Sequence, residues 1–383
     1  MRVNRALIFI LALITTAGIL LVDRHVSAAE PQPTTDEQAL KSLAALRPVD
    51  VHVHVFKTDP AFQSMLEKLN LKLMNILVMD DTLSYRKELQ PQIDDAWKLV
   101  RSSKGHLALC TTFDPYRFND PTFPKEAIQQ MERDFKDGAI AVKIWKNIGM
   151  EIKDTNGKYI MPDDPKFAPV YVATQKNGKT LMSHVAEPNV AWGPPDSSDP
   201  SWPYYKENPQ WLVGDKPGFP AKNTILEARD HILQQNPKLR MVGVHLGSME
   251  KDLDGIASRF DRYPNFAIDT AARMEYLMLM PPDKVRAFLI KYQDRVLYGT
   301  DLDMIADAKA DEEVKSWEGV YARDWRYFAT GETFELNGKK VQGLKLPEPV
   351  LRKIYRANAL HWIPSLGGNV TNGPAGRISP RAR

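Results

Sequence analysis

The chain has 383 residues, enough to bury a large core, and its 43% apolar and 26% charged residues form an ordinary globular balance that excludes wholesale disorder. The formal charge of +3 sits at the ends: Arg2, Arg5 and Arg24 against Asp23 put +2 in the first 28 residues, and Arg377, Arg381 and Arg383 put +3 in the last seven, so the body carries −2. That argues against nucleic acid or an anionic membrane as partner, and the single cysteine, Cys110, excludes an intrachain disulfide and reads as a small buried hydrophobe.

The first 28 residues read as a targeting segment. MRVNR is basic, residues 6–22 are uncharged and apolar, and Val26 and Ala28 are the small residues of a cleavage site, so cleavage after Ala28 is expected. An uncleaved signal anchor is the other reading, because the apolar run nears spanning length. No cysteine follows the run and no arginine pair precedes it, which argues against a lipid anchor and the twin-arginine route. The expected location is periplasmic or secreted, with no stable membrane association once the segment is removed. Residues 29–46 read as a linker and lead-in, 47–362 as one catalytic domain, and 363–383 as a flexible, solvated tail.

Within the domain, eight short apolar runs recur: VDVHVHVF at Val49, LMNILVMD at Leu73, HLALCTTF at His106, AIAVKIW at Ala139, TLMSHV at Thr180, MVGVHLG at Met241, FAIDT at Phe266 and RVLYGTD at Arg295. They are continuous rather than alternating, as parallel strands covered on both faces should be. Helical stripes lie between them. Ile93, Trp97 and Val100 form one, and Ile128, Met131 and Phe135 another, with Gly138 past its end. Ile225, Ala228 and Ile232 follow Thr224, a candidate N-cap; Leu253, Ile256, Ala257 and Phe260 form a fourth stripe, and Val285, Phe288, Leu289 and Tyr292 a fifth. Strand then helix, eight times, is the pattern of an α/β (β/α)8 TIM barrel. A doubly wound sheet is the runner-up, but no glycine-rich loop follows the first strand. Two long connections, 186–221 after strand five and 302–346 after strand eight, would lie on the C-terminal face. The first is rich in Pro, Trp and Tyr, and its Trp192, Trp202, Tyr204, Tyr205 and Trp211 suit an ordered lid. The second carries an Asn-Gly hairpin signal at Asn337.

Chemistry begins at His52 and His54. Two residues apart on a strand, they face one side, the lumen, while Val51, Val53 and Val55 face the helices. Converging imidazoles suit a divalent metal. His184 ends strand five, His245 ends strand six and Asp301 lies just past strand eight, with Asp303 a competitor for its role. Residues distant in sequence converge at those strand ends. His106, His231 and His361 read as structural or surface residues.

This ordered set resembles the amidohydrolase superfamily, and the DVHVH, VHLGS and YGTD contexts are similar to its branch containing aminocarboxymuconate-semialdehyde decarboxylase and the resorcylate decarboxylases. The resemblance implies that His52, His54, His184 and Asp301 bind one divalent ion, zinc being the first choice, with His245 and Asp301 catalytic. Lys143 stands on strand four, where binuclear members of the superfamily carry a bridging carboxylated lysine; the branch resembled here usually holds one metal, and Lys146 competes for the strand end. Arg273, after strand seven, is read as a clamp for a substrate carboxylate, or else as a salt-bridge partner of Glu275. The expected activity on a small-molecule substrate is hydrolysis, a metal-activated water attacking an amide, ester or lactone carbon. Non-oxidative decarboxylation of a small carboxylic acid is the alternative, and an inactive barrel that only binds is the second alternative. Homo-oligomerisation is left open.

Overall fold

In the computed structural model, residues 34–80, 87–305 and 309–367 are described. The signal segment and the tail from residue 368 lie outside them. Each of the eight apolar runs forms a strand: β1 (Val49–Val55), β2 (Lys72–Ile76), β3 (Leu107–Thr111), β4 (Ala141–Ile144), β5 (Thr180–Ser183), β6 (Met241–Gly243), β7 (Phe266–Asp269) and β8 (Val296–Leu297). They pair in parallel in chain order, and β9 (Leu302–Met304) pairs with the free side of β1. β8 and β9 are two halves of one eighth strand, broken at residues 298–301. Across the break Val51 N donates to Tyr298 O (3.0 Å) and Asp301 N donates to His52 O (2.7 Å). Because one half lies on β7 and the other on β1, the sheet closes on itself as a (β/α)8 barrel.

β1 is buried along all seven residues, Asp50, His52 and His54 as well as its valines. It is not a plain strand, however. Its register against β2 slips by one residue between Asp50 and Val53. A bulge there ends the simple alternation expected of VDVHVHV, and the Asp50 carboxyl meets Thr300 and Tyr321 rather than the histidine rings.

The helical stripes face the core. Helix Leu89–Ser102 buries Ile93, Trp97 and Val100; Phe123–Asp137 buries Met131 and Phe135; Leu253–Arg262 buries Ile256 and Phe260; Pro282–Lys291 buries Val285, Phe288 and Leu289. Helix Lys222–Gln235 starts earlier than expected, with Ala221 as N-cap and Thr224 inside the first turn. The lead-in contains a helix, Asp36–Ala45, closed by a capping box of Thr35 and Gln38. Helices Pro60–Lys68 and Ala168–Lys176 complete βα units where no stripe was read.

The two long connections differ in kind. Segment 186–221 is a folded connection with a short helix, Trp202–Glu207, and it buries Tyr205 and Trp211. Segment 302–346 is mostly regular structure. After β9 come the 20-residue helix Ala310–Ala329, packed on Asp36–Ala45, and a hairpin of β10 (Thr333–Leu336) and β11 (Lys339–Gln342). Its turn needs left-handed backbone at both central residues, and Asn337 (φ 50°) and Gly338 (φ 74°) supply it. At the far end of the barrel, Asn358 Nδ2 donates to Val296 O (2.7 Å) and Thr180 Oγ1 to Trp362 O (2.5 Å), so the C-terminal helices cover the strand starts. His361 is part of the last of them, Asn358–Trp362, rather than beyond it.

Candidate metal centre

The strands deliver a tight trio at the C-terminal mouth. His52 Nε2 lies 3.1 Å and His54 Nε2 3.4 Å from the same oxygen, Asp301 Oδ1. Donors about 2.0–2.2 Å from a shared ion at tetrahedral or right angles stand roughly 3.0–3.5 Å apart, so these separations fit a common divalent cation. Gly299 makes the approach of the broken strand feasible: a Cβ there would stand 3.0 Å from His52 Cβ.

Each ring is anchored through its other nitrogen. His54 Nδ1 is 2.8 Å from Ile76 O, and His245 Nδ1 is 2.9 Å from Ala271 O. A carbonyl only accepts, so both Nδ1 atoms carry the proton and both Nε2 atoms present a lone pair. His52 Nδ1 lies 3.0 Å from Asp269 Oδ2, the carboxylate–histidine arrangement that orients a metal ligand. His184 is buried, and its Nε2 has no hydrogen-bond partner among the described residues, an orphan that a metal ion would satisfy. Its ring centroid is 4.3 Å from that of His245, whose ring is 4.8 Å from that of His52. The donor set therefore fits the expected cation, although His184 belongs to neither trio whose ligand atoms lie within 4.8 Å of one another.

The second such trio is His52, His245 and Asp269. Both oxygens of Asp269 are already committed: Oδ2 to His52, and Oδ1 to the backbone N–H groups of His245 (2.7 Å) and Ala271 (3.2 Å). Whereas Asp301 Oδ1 faces two Nε2 atoms, Asp269 is thus engaged with His52 and two backbone N–H groups. Its place was legible as the last residue of the FAID strand, an acid at a strand end like Asp301, but it was not read as part of the site.

Electrostatics prepare the same atoms. Burial holds His184 and His245 well below the ordinary imidazole value, so both are neutral at pH 7. For His52, burial and Lys143 pull downward, but Asp301 and Asp269 outweigh them and raise it. Burial would raise Asp301; the adjacent His52 ring outweighs it and holds the carboxylate well below its usual range. The backbone is strained where chemistry is expected: His245 (φ 58°), Leu246 (φ 56°) and Asp301 (φ 67°) are left-handed.

Lys143 is buried with Nζ 3.1 Å from His52 Nε2, inside the centre. Its competitor Lys146 is occupied elsewhere, paired with Glu187 and lying 4.0 Å from the Trp211 ring centroid. Asp303 is exposed, so Asp301 is the aspartate beside the histidines. Arg273 is buried; its Nη1 donates to Ala272 O (2.8 Å) and its Nε has no partner among the described residues. The salt bridge considered for Glu275 goes instead to Arg323, at 3.5 Å. Of the histidines read as structural, His106 bonds Leu71 O (2.6 Å) and His231 pairs with Asp163 (2.8 Å). Cys110 is buried as expected, and burial pushes its thiol up to about 12.

The amidohydrolase family model matches residues 49–363. Comparison with curated proteins finds no match. Among solved structures, the chain is similar to 2,6-dihydroxybenzoate decarboxylase from Rhizobium (TM-score 0.51, 14% identity, 83% of this chain and 98% of that one). A structure of 2,6-dihydroxybenzoate decarboxylase with 2,6-dihydroxybenzoate bound matches equally well (TM-score 0.51, 14% identity, 83% and 99%). A TIM-barrel protein from Bordetella bronchiseptica also matches (TM-score 0.49, 14% identity, 84% and 99%). Identities this low show the fold alone.

Proposed function

Because the chain belongs to the amidohydrolase family, we propose that it is a metal-dependent enzyme that removes carbon dioxide, without oxidation, from a small carboxylic acid. The observation that carries this reading is Arg273. A buried guanidinium whose Nε lacks a partner calls for an anion, and a carboxylate matches its fork. Its positive charge helps to lower the proton affinity of both His184 and His245, which supports a position beside the same site. The Rhizobium decarboxylase shows that the fold supports such chemistry, and on this point the reading departs from the hydrolysis that was first expected.

His52, His54, His184 and Asp301 would hold the metal. A divalent cation there would polarise a substrate oxygen and lower the pKa of bound water toward about 7. Arg273 would orient the carboxylate. When the carbon–carbon bond breaks, its electron pair stays on the substrate carbon, which must then take a proton. Neutral His245 can take a proton from water on Nε2 and deliver it there, returning to its neutral form, while its Nδ1–H stays fixed on Ala271 O. The lid, with Tyr205 and Trp211 buried in it, would exclude water.

Hydrolysis of an ester, amide or lactone is the second reading, favoured by the same neutral His245, which can take a proton from attacking water. Incubating metal-loaded protein with a panel of aromatic and enoic carboxylic acids, and in parallel with esters and lactones, separates the two. Metal-dependent release of carbon dioxide supports decarboxylation. Turnover of esters or lactones with no carbon dioxide from any acid would overturn it.

A further inference from the structure

We infer that helix Ala310–Ala329 sets the position of the Asp301 carboxylate from outside the barrel lumen, with Tyr321 acting through Asp50 and Thr300 as the link. The inference rests on the reading of Asp301 as a metal ligand.

Asp301 needs such support. It sits in the break between β8 and β9, with no neighbour in a regular ladder, and its backbone is left-handed, a conformation that a non-glycine residue leaves unless it is held. One backbone bond, from its own N–H to His52 O, ties it directly to β1. The rest of the restraint arrives through the preceding residue. Thr300 N donates to Asp50 Oδ1 (3.1 Å), and Thr300 Oγ1 donates to Asp50 Oδ2 (2.6 Å). Asp50 is fully buried, and the bulge in β1 accompanies its meeting with Thr300. Its Oδ1 also accepts from His52 N (3.0 Å), so one carboxyl group gathers the backbone of a histidine ligand and the turn that carries the carboxylate ligand.

The fourth donor to Asp50 comes from the helix. Tyr321, fully buried, donates its hydroxyl to Asp50 Oδ2 at 3.0 Å. Three residues on, and so on the same helix face, Asp324 Oδ2 accepts from Tyr298 OH (3.0 Å). Tyr298 opens the broken stretch and Asp301 closes it. The helix thus grips the first residue through Asp324 and reaches the turn at the other end through Tyr321. It is itself braced, with Arg326 paired to Asp36 of the lead-in helix at 3.0 Å. Tyr321 touches no expected ligand atom. It is a positioning residue, and its loss should let Asp301 wander from the two Nε2 atoms.

Tyr327 supplies the control. It lies on the same helix, and its buried hydroxyl donates to Leu277 O (2.8 Å), away from the broken strand. The dissociation constant for Zn2+ would be measured on the full-length protein by competition with a chromophoric chelator, alongside the melting temperature of the stripped protein. Tyr321→Phe and Thr300→Val should weaken zinc binding about ten- to hundred-fold, the usual effect of removing an outer-shell hydrogen bond, whereas Thr300→Ser and Tyr327→Phe should stay within about threefold of wild type. A general loss of rigidity would lower the melting temperature of Tyr327→Phe and Tyr321→Phe alike and would not separate their zinc affinities. Zinc binding by both Tyr321→Phe and Thr300→Val at the wild-type level, or an equal loss in Tyr327→Phe, would overturn the inference alone. Zinc binding that survives His52→Ala unchanged would overturn the metal-centre reading and the inference with it.

Discussion

Asp269→Asn tests how the barrel prepares His52 for a metal. Asp269 is fully buried, with Oδ1 accepting from two backbone N–H groups and Oδ2 facing His52 Nδ1. Asparagine has the same shape, but the backbone donors hold its oxygen on their side and turn its NH2 toward His52. A donor at that position pushes the ring proton from Nδ1 to Nε2, the atom 3.1 Å from Asp301 Oδ1. A protonated Nε2 cannot ligate, so each binding event must first shift the tautomer or flip the amide. Loss of an orienting carboxylate typically weakens metal binding about 10–100-fold, which is about 1.4–2.7 kcal/mol. Competition against a chelator of known affinity would read the change, with circular dichroism to verify the fold. An affinity within about twofold of wild type would refute the tautomer argument and leave Asp269 a purely structural acid.

Four further outcomes are expected. Asp301→Ala and His54→Ala should each abolish stoichiometric metal in protein purified without chelator, as read by elemental analysis. Arg273→Met should weaken binding of a carboxylate ligand by about 10–150-fold, the 1.5–3 kcal/mol range of a charged hydrogen bond, while leaving metal content unchanged; calorimetry with benzoate would show it. Lys146→Met leaves the buried Glu187 with Tyr205 as its remaining hydrogen-bond partner among the described residues and should destabilise the fold by about 3–5 kcal/mol, most of which Lys146→Met combined with Glu187→Leu should restore in denaturant titrations. Burial raises the Asp134 carboxyl from 3.8 to about 6, so its native form binds a proton more tightly than the unfolded chain does. Its stabilising contribution is therefore complete below about pH 4 and lost as pH rises through 6, by at most about 3 kcal/mol. Relative to wild type, Asp134→Asn should gain stability between pH 4 and 7; a constant difference across that window would show that Asp134 does not titrate there.

Much of the barrel is legible in the sequence because burial on both faces leaves a residue-by-residue trace. A strand such as FAID or MVG reads as almost wholly apolar because helices cover one side and the packed lumen the other, and the core-facing stripes of the helices follow from the 3.6-residue repeat. Helices Pro60–Lys68 and Ala168–Lys176 are harder to read: they are short, and proline stands in their first turn. The polar residues at strand ends were legible for a similar reason, since His52, His54, His184, His245 and Asp301 interrupt or end runs that are otherwise mostly apolar. Asp269 carries that same mark. The connection after strand eight read as a loop because its polar, charged face dominates, yet Trp317, Tyr321 and Tyr327 bury a helix face there.

The sequence by itself determined the architecture, the side of the barrel on which chemistry would sit, and the residue types able to hold a cation, because each is a local property of periodicity, burial or side-chain chemistry. Only the tertiary structure decided which acid faces the Nε2 atoms of His52 and His54 and which is taken up by other hydrogen bonds. His52 meets Asp269 across 217 positions, and Asp50 meets Tyr321 across 271. The slip in β1, the break that leaves Asp301 left-handed, and the pairing of Glu275 with Arg323 rather than Arg273 have no periodic signature. They arise when the closing barrel brings distant groups within hydrogen-bond reach and burial obliges each polar atom to find a partner.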